Sequence, residues 1–295
     1  MDLRTRGEKI YAVFNYILLT IFGFIFLYPM WHILMASVSD PALLLADRGF
    51  YFWFKGSPSL RGYQLVLENP NIINGYINTM FIVIVGTLIS IVVTTLGAYS
   101  LSRKGCYWNS KIMKMIVFTM YFHGGLLPFY ILVRNLGLLD NLWALILPVS
   151  VSTWNLIILR TAFHSVPDSL IESAKLDGAN DFRVVWQIVV PVSKAAVSVI
   201  ILFYAVGYWN AWFNAAIFIT DRTLWPLQLV LREILILNNA NMMVNVGGVG
   251  QQGIERYRIL VRYCTIIIAT LPILLIYPFI QKYFVSGVMI GSLKE

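Results

Sequence analysis

Apolar residues run without one Asp, Glu, Lys or Arg through six stretches of the chain, residues 13–35, 76–101, 115–133, 141–159, 195–219 and 263–281. A bilayer core of about 30 Å needs about 20 helical residues rising about 1.5 Å each, so each stretch predicts a transmembrane helix. The first is too long for the apolar core of a cleaved leader, and five more follow it. The polar connections are uneven. Segment 36–75 carries the aromatic run Phe50, Tyr51, Phe52, Trp53, Phe54, and segment 220–262 joins an apolar helical stretch at 227–237 to Gly247, Gly248 and Gly250. Segment 160–194 has a periodicity of its own. Ser165 and Asp168, three apart with Pro167 between them, form a variant capping box opening a helix over 165–177. Leu170, Ile171 and Ala174 make its apolar face, with Glu172, Lys175 and Asp177 polar. Gly178 is placed to end it in a left-handed conformation. Asn180 then caps a second helix with Phe182, Val185, Trp186 and Val189 at i, i+3, i+4 and i+7, which Pro191 breaks.

Composition agrees with this pattern. Of 295 residues 59% are hydrophobic and 12% charged, against roughly 45–50% and about 25% in a soluble domain. That excludes a secreted disulfide scaffold, a disordered regulator and a cytosolic enzyme. The net charge of +8 belongs to topology rather than to nucleic acid, since no basic cluster is interleaved with aromatics. Arg4, Arg6 and Lys9 precede the first stretch, and Arg103, Lys104, Lys111 and Lys114 follow the second, whereas the third loop has Arg134 as its base. The positive-inside rule then puts both termini and segment 160–194 in the cytoplasm. Arg256, Arg258 and Arg262 break the rule in an external loop and are read as surface or partner contacts. Cys106 and Cys264 lie far apart in unlike surroundings, so no disulfide is expected. His32, His123 and His164 show no ligand spacing, so no metal site is expected.

The chemistry available is that of passage rather than of reaction. None of the nine lysines is followed by Ser or Thr, so the chain has no phosphate-cradling Gly-Lys-[Ser/Thr] loop and is not expected to bind ATP itself. No acid lies within a stretch, which counts against a proton-coupled carrier. An integral-membrane enzyme acting on lipid-linked sugars would need acids or histidines clustered at one face. Candidate pathway residues are Tyr204, Tyr208 and Trp212, at i+4 spacing, with Asn210 and Asn214 on a neighbouring face, and Asn155 and Tyr121 on other helices. Aromatic rings beside amides suit a carbohydrate, though the same residue types pack helices together.

Glu172-Ser173-Ala174, three residues, Gly178, nine residues, Ile188-Val189-Val190-Pro191 resembles the EAA motif of ABC-importer permeases, with Ser173 for an alanine and Val190 for a leucine. The Lys175–Ala179 run, Trp209-Asn210 and the ending 284–291 also look like that family. Together they resemble MalG-like carbohydrate-uptake permeases, nearest the LplC-like and alginate-importer branch handling oligosaccharides or polysaccharide fragments. The resemblance implies an all-α polytopic membrane protein, a single six-helix permease domain of type I importer fold in a bacterial cytoplasmic (inner) membrane. It implies a second homologous permease, two ATP-binding subunits and an extracellular or periplasmic sugar-binding protein as partners, besides membrane lipid. Leu170, Ile171, Glu172, Ser173, Ala174, Asp177 and Gly178 would dock on the ATPase, with Ile188 and Pro191 as motif support. Gly247, Gly248, Gly250, Arg256 and Arg258 would meet the binding protein.

Overall fold

Helices account for all the regular structure in the computed structural model, which describes residues 5–46, 49–103, 105, 107–235, 257–275 and 278. Helix α1 (Arg6–Ser37) opens on a reciprocal cap: Thr5 N donates to Glu8 Oε2 at 2.6 Å and Glu8 N to Thr5 Oγ1 at 3.4 Å. Short helices α2 (Pro41–Ala46) and α3 (Arg61–Leu67) lead to the long α4 (Pro70–Ser102). Then come α5 (Asn109–Tyr121), α6 (Leu126–Asn135), two 3₁₀ turns (Leu142–Leu145, Leu147–Val149) and α7 (Thr153–His164). Helices α8 (Asp168–Leu176) and α9 (Asp181–Val192) form the loop 160–194. They are followed by α10 (Lys194–Trp209), α11 (Phe213–Phe218), α12 (Leu227–Leu235) and α13 (Tyr257–Leu275).

Three of these helices, α1, α4 and α13, are each long and apolar enough to cross a membrane, and three bent pairs raise the number to as many as six. The bends depart from the continuous helices that the sequence predicts. Over 115–133, α5 and α6 meet at 112°. The break carries Gly125 at φ = +86°, a conformation that a helix cannot pass through. Over 141–159, 3₁₀ turns around Pro148 precede α7 at 47°. Over 195–219, α10 ends at Trp209 and α11 begins at Phe213. A charge-free stretch says how much apolar surface is present, not whether its hydrogen-bond ladder is continuous.

The chain divides into two compact units. In the first, residues 1–70 and 231–271, Ser37 ties three segments together. Its hydroxyl lies 2.6 Å from Tyr63 Oη, and its carbonyl accepts from Cys264 Sγ at 3.3 Å. Gly62 sits so close that an added Cβ would lie 2.7 Å from that sulfur. The aromatic run folds onto α1, with Trp31 Nε1 donating to Phe52 O at 2.8 Å and His32 stacked on Tyr51 at 4.9 Å.

The second unit holds residues 71–230 and 272–295. Gly75, Thr79, Gly86, Ser90 and Thr94 are buried with Ile82 along one stripe of α4, and all but Ile82 are small enough to let another backbone approach closely. Thr79 Oγ1 accepts from Leu227 N at 2.8 Å, which fixes the start of α12. An added Cβ on Gly86 would meet the Tyr208 ring at 2.8 Å. Two hydroxyl pairs complete the seam with α10, Ser90–Tyr208 at 2.9 Å and Thr94–Tyr204 at 2.7 Å.

Candidate functional site

Helix α8 stands out from the second unit. Ile171 alone of its nine residues is buried, with Ala174 packed beside the core. Leu170, Glu172, Ser173 and Asp177 are exposed, and Leu176 is 89% exposed. The apolar face is therefore narrower than expected, and Leu170 turns outward. The helix ends in a Schellman motif. Gly178 N donates to Lys175 O at 3.1 Å and Ala179 N to Ala174 O at 2.9 Å, with Gly178 at φ = +80°. The start differs from expectation. Helix α8 begins at Asp168 with Pro167 at the cap and no side-chain capping bond, while Ser165 Oγ donates back to Ala162 O at 2.7 Å. A hydroxyl at the end of α7 has a free carbonyl nearer than the next helix's amides.

Asn180 caps α9 as expected, accepting from Arg183 N at 2.9 Å. The buried side then departs from the expected stripe: Val184, Val185 and Val189 are buried, whereas Phe182 is 64% exposed and Trp186 42% exposed. A π turn over Val185–Val189 rotates the face. Ile188 is half-buried and Pro191 lies in the final turn. At Ser193 the chain bends by 92° into α10.

What holds this loop was not anticipated from the motif. Arg103, at the end of α4, reaches Ser102 Oγ at 3.0 Å, Phe163 O, and Asp168 Oδ1 at 3.5 Å. Its guanidinium lies 5.5 Å from the centre of the Tyr99 ring. Tyr99 Oη donates to Asp181 Oδ1 at 3.2 Å, and that oxygen also takes Lys175 Nζ at 3.1 Å. The hydrogen bond from Lys175 holds the Asp181 carboxyl below its ordinary range, with help from the Tyr99 hydroxyl. Both loop helices are thus fastened to one end of α4. These groups line a cavity of about 720 Å³ that also includes Glu172. The signal in the sequence was an Arg closing an acid-free stretch, with an Asp in the first turn of each loop helix.

A second cavity, about 800 Å³, lies along α10 and brings together Asn155, Tyr204, Tyr208, Asn210 and Asn214. The two tyrosines face it only in part. Both are buried, and their hydroxyls are committed to α4, to Ser152 N at 3.0 Å and to Ile146 O at 3.4 Å. Trp212 packs at the core's edge, and Tyr121 is exposed at the end of α5; neither lines the cavity. Gly247, Gly248, Gly250, Arg256, Lys104, Cys106 and the ending 284–291 lie outside the described residues, and Arg258 is in the first turn of α13. Among the described residues no group of three His, Cys, Asp or Glu side chains is placed to hold a metal ion.

No protein-family model matches the chain. It is 36% identical over 287 residues to the polygalacturonan/rhamnogalacturonan transport system permease protein YtcP of Bacillus subtilis, covering 97% of this chain and 99% of that one. It is 38% identical over 295 residues to Protein LplC of the same species, covering 98% and 97%. Among solved structures, a bacterial ABC transporter involved in the import of the acidic polysaccharide alginate superposes with a TM-score of 0.85 at 29% identity, over 96% of this chain and 100% of that one. The described residues are helical, with apolar spanning segments and one outstanding helix, and the chain belongs to the permease family of ABC transport systems. It is an integral membrane component of such a system and not its ATP-hydrolysing enzyme.

Proposed function

We propose that the chain is one of two homologous permease subunits of an ATP-driven importer for oligosaccharides or polysaccharide fragments, working by alternating access in a bacterial cytoplasmic membrane with both termini inside. The transport of polygalacturonan/rhamnogalacturonan and of alginate named for its relatives supports the substrate class. Two ATP-binding subunits would supply ATP and Mg chemistry, and an external sugar-binding protein would deliver the substrate. The observation that carries the reading is α8, a helix closed by a Schellman turn, exposed on its outer face and fastened to α4. Leu170, Glu172, Ser173 and Asp177 would dock in the ATPase, while Ile171, Ala174 and Gly178 hold the lever's shape. Ile188 and Pro191 would seat the second helix. The cavity with Asn155, Asn210 and Asn214 offers amides to a passing sugar, and Gly247, Gly248, Gly250, Arg256 and Arg258 would face the binding protein. Reversing a two-state equilibrium from 1:99 to 99:1 takes about 5.5 kcal/mol of differential binding, so the lever must be stiff. The test is Glu172→Lys in the reconstituted complex. Stimulation of ATP hydrolysis by the sugar-loaded binding protein should fall at least tenfold with the subunits still copurifying. Unchanged stimulation would refute the docking role.

A further inference from the structure

No acidic residue occurs between Glu68 and Asp140, and residues 141–167 are equally free of Asp and Glu, so neither α5 nor α7 carries a carboxylate. Into this one-signed region opens a cavity of about 670 Å³ between α5 and α7. Its α5 wall is formed by residues 110, 113, 114, 117 and 118, one face of the helix by spacing. The wall is graded along the axis. At one end stand Asn109 and Ser110, with Arg160 contributed by α7; Val117 and Phe118 stand about 12 Å further along at about 1.5 Å per residue, with Lys114 between. Arg160 is half-buried, with Nε donating to Leu101 O at 2.8 Å. Among the described residues neither Arg160 nor Lys114 pairs with a carboxylate. Asn109 donates its amide to Leu101 O at 2.8 Å and Arg103 O at 3.2 Å, which leaves its buried Oδ1 as an acceptor with no partner among those residues.

Two cations, an unpartnered acceptor and an apolar strip in that order match the head, glycerol and chain of one kind of molecule. We propose that this cavity binds an anionic glycerophospholipid with a hydroxylated head group. The phosphodiester lies against Lys114 and Arg160, a head-group hydroxyl donates to Asn109 Oδ1, and an acyl chain runs along Val117 and Phe118. A free phosphate would satisfy the cations and leave the apolar strip bare. The proposal rests on residues 103–114 facing the cytoplasm, where the anionic leaflet lies.

The probe is phosphatidylglycerol, competed with phosphatidylcholine on the purified complex and read as retained lipid by native mass spectrometry. The wild-type complex should retain phosphatidylglycerol preferentially. Exposed Lys114 can be changed without disturbing packing, and Lys114→Ala should lower retention about fivefold, the worth of one base near an anionic lipid. Lys114→Arg should restore it. Equal retention of the two lipids, no retained lipid, or full retention in Lys114→Ala would overturn the proposal. Displacement by millimolar inorganic phosphate would overturn the lipid form in favour of a free-anion site. Orientation is read separately: labelling of a Lys114→Cys variant from outside intact cells would refute the cytoplasmic placement, whatever the retention.

Discussion

An added Cβ at Gly178 would meet no atom within 4 Å, so substitution there strains the backbone alone, at φ = +80°. A left-handed residue other than glycine costs about 1–2 kcal/mol. Gly178→Val should therefore loosen the turn after α8 and lower sugar transported per ATP hydrolysed, while Gly178→Asn, which tolerates that region, should lower it less. Proteoliposome transport and ATPase assays on the same preparation give the ratio. The two charged fastenings differ in weight. Lys175 and Asp181 are both more than half exposed, and such pairs contribute little. The Arg103 side chain is only 18% exposed and has several partners. Arg103→Ala should cost about 1.5–3 kcal/mol, the range for hydrogen bonds to a charged group, and Lys175→Ala less than about 1 kcal/mol, both read as thermal-unfolding shifts. Asp181 adds a pH dependence of fixed sign. Its folded-state affinity for a proton is depressed, so its contribution is full above the ordinary carboxylate value and is lost as pH falls through the lower, folded one. Fluorescence of the nearby α9 tryptophan should hold steady down to about 3.8 and change only below it, and Asp181→Asn should remove that acid limb.

At the scale of helices, the seam between α4 and α10 is set by size more than by hydrogen bonding. Gly86→Ala pushes a methyl group into the Tyr208 ring, an overpacking worth about 1–3 kcal/mol. Tyr208→Phe loses the bond to Ser90, for which interhelical pairs average about 0.6 kcal/mol. Thermal unfolding of the solubilised complex should rank Gly86→Ala as the more damaging, and the opposite order would show that the hydroxyl dominates. Helical content, the small loop helix, the Asn180 cap and the glycine turn were all legible in the sequence, because each depends on residues a few positions apart. The breaks at Gly125 and Trp209 were not, since hydropathy sums side chains and ignores backbone continuity. The π turn over Val185–Val189 was hidden for a related reason: a 3.6-residue period assigned Phe182 and Trp186 to the face that Val184 in fact occupies. The fastening roles of Arg103 and Tyr99 escaped notice because their carboxylate partners, Asp168 and Asp181, lie 65 and 82 positions away.

For the molecule as a whole, the topology makes one joint prediction. An impermeant thiol reagent applied to intact cells should label Trp53→Cys and spare Ser173→Cys; the reverse pattern would invert every assignment of side. The paired hydroxyls bear on how such a protein changes state. Ser90 and Thr94 are four residues apart, as are Tyr204 and Tyr208, and the pairs run in opposite chain directions. Sliding one helix along the other by four residues, about 6 Å, remakes one rung: Tyr208 meets Thr94 while Tyr204 faces Ala98, or Tyr204 meets Ser90 while Tyr208 faces Gly86. A one-residue offset instead sets Tyr204 opposite Thr95 and Tyr208 opposite Ile91. Both rungs close together in the described register, so the seam acts as a latch that any displacement along the helix axes must first open.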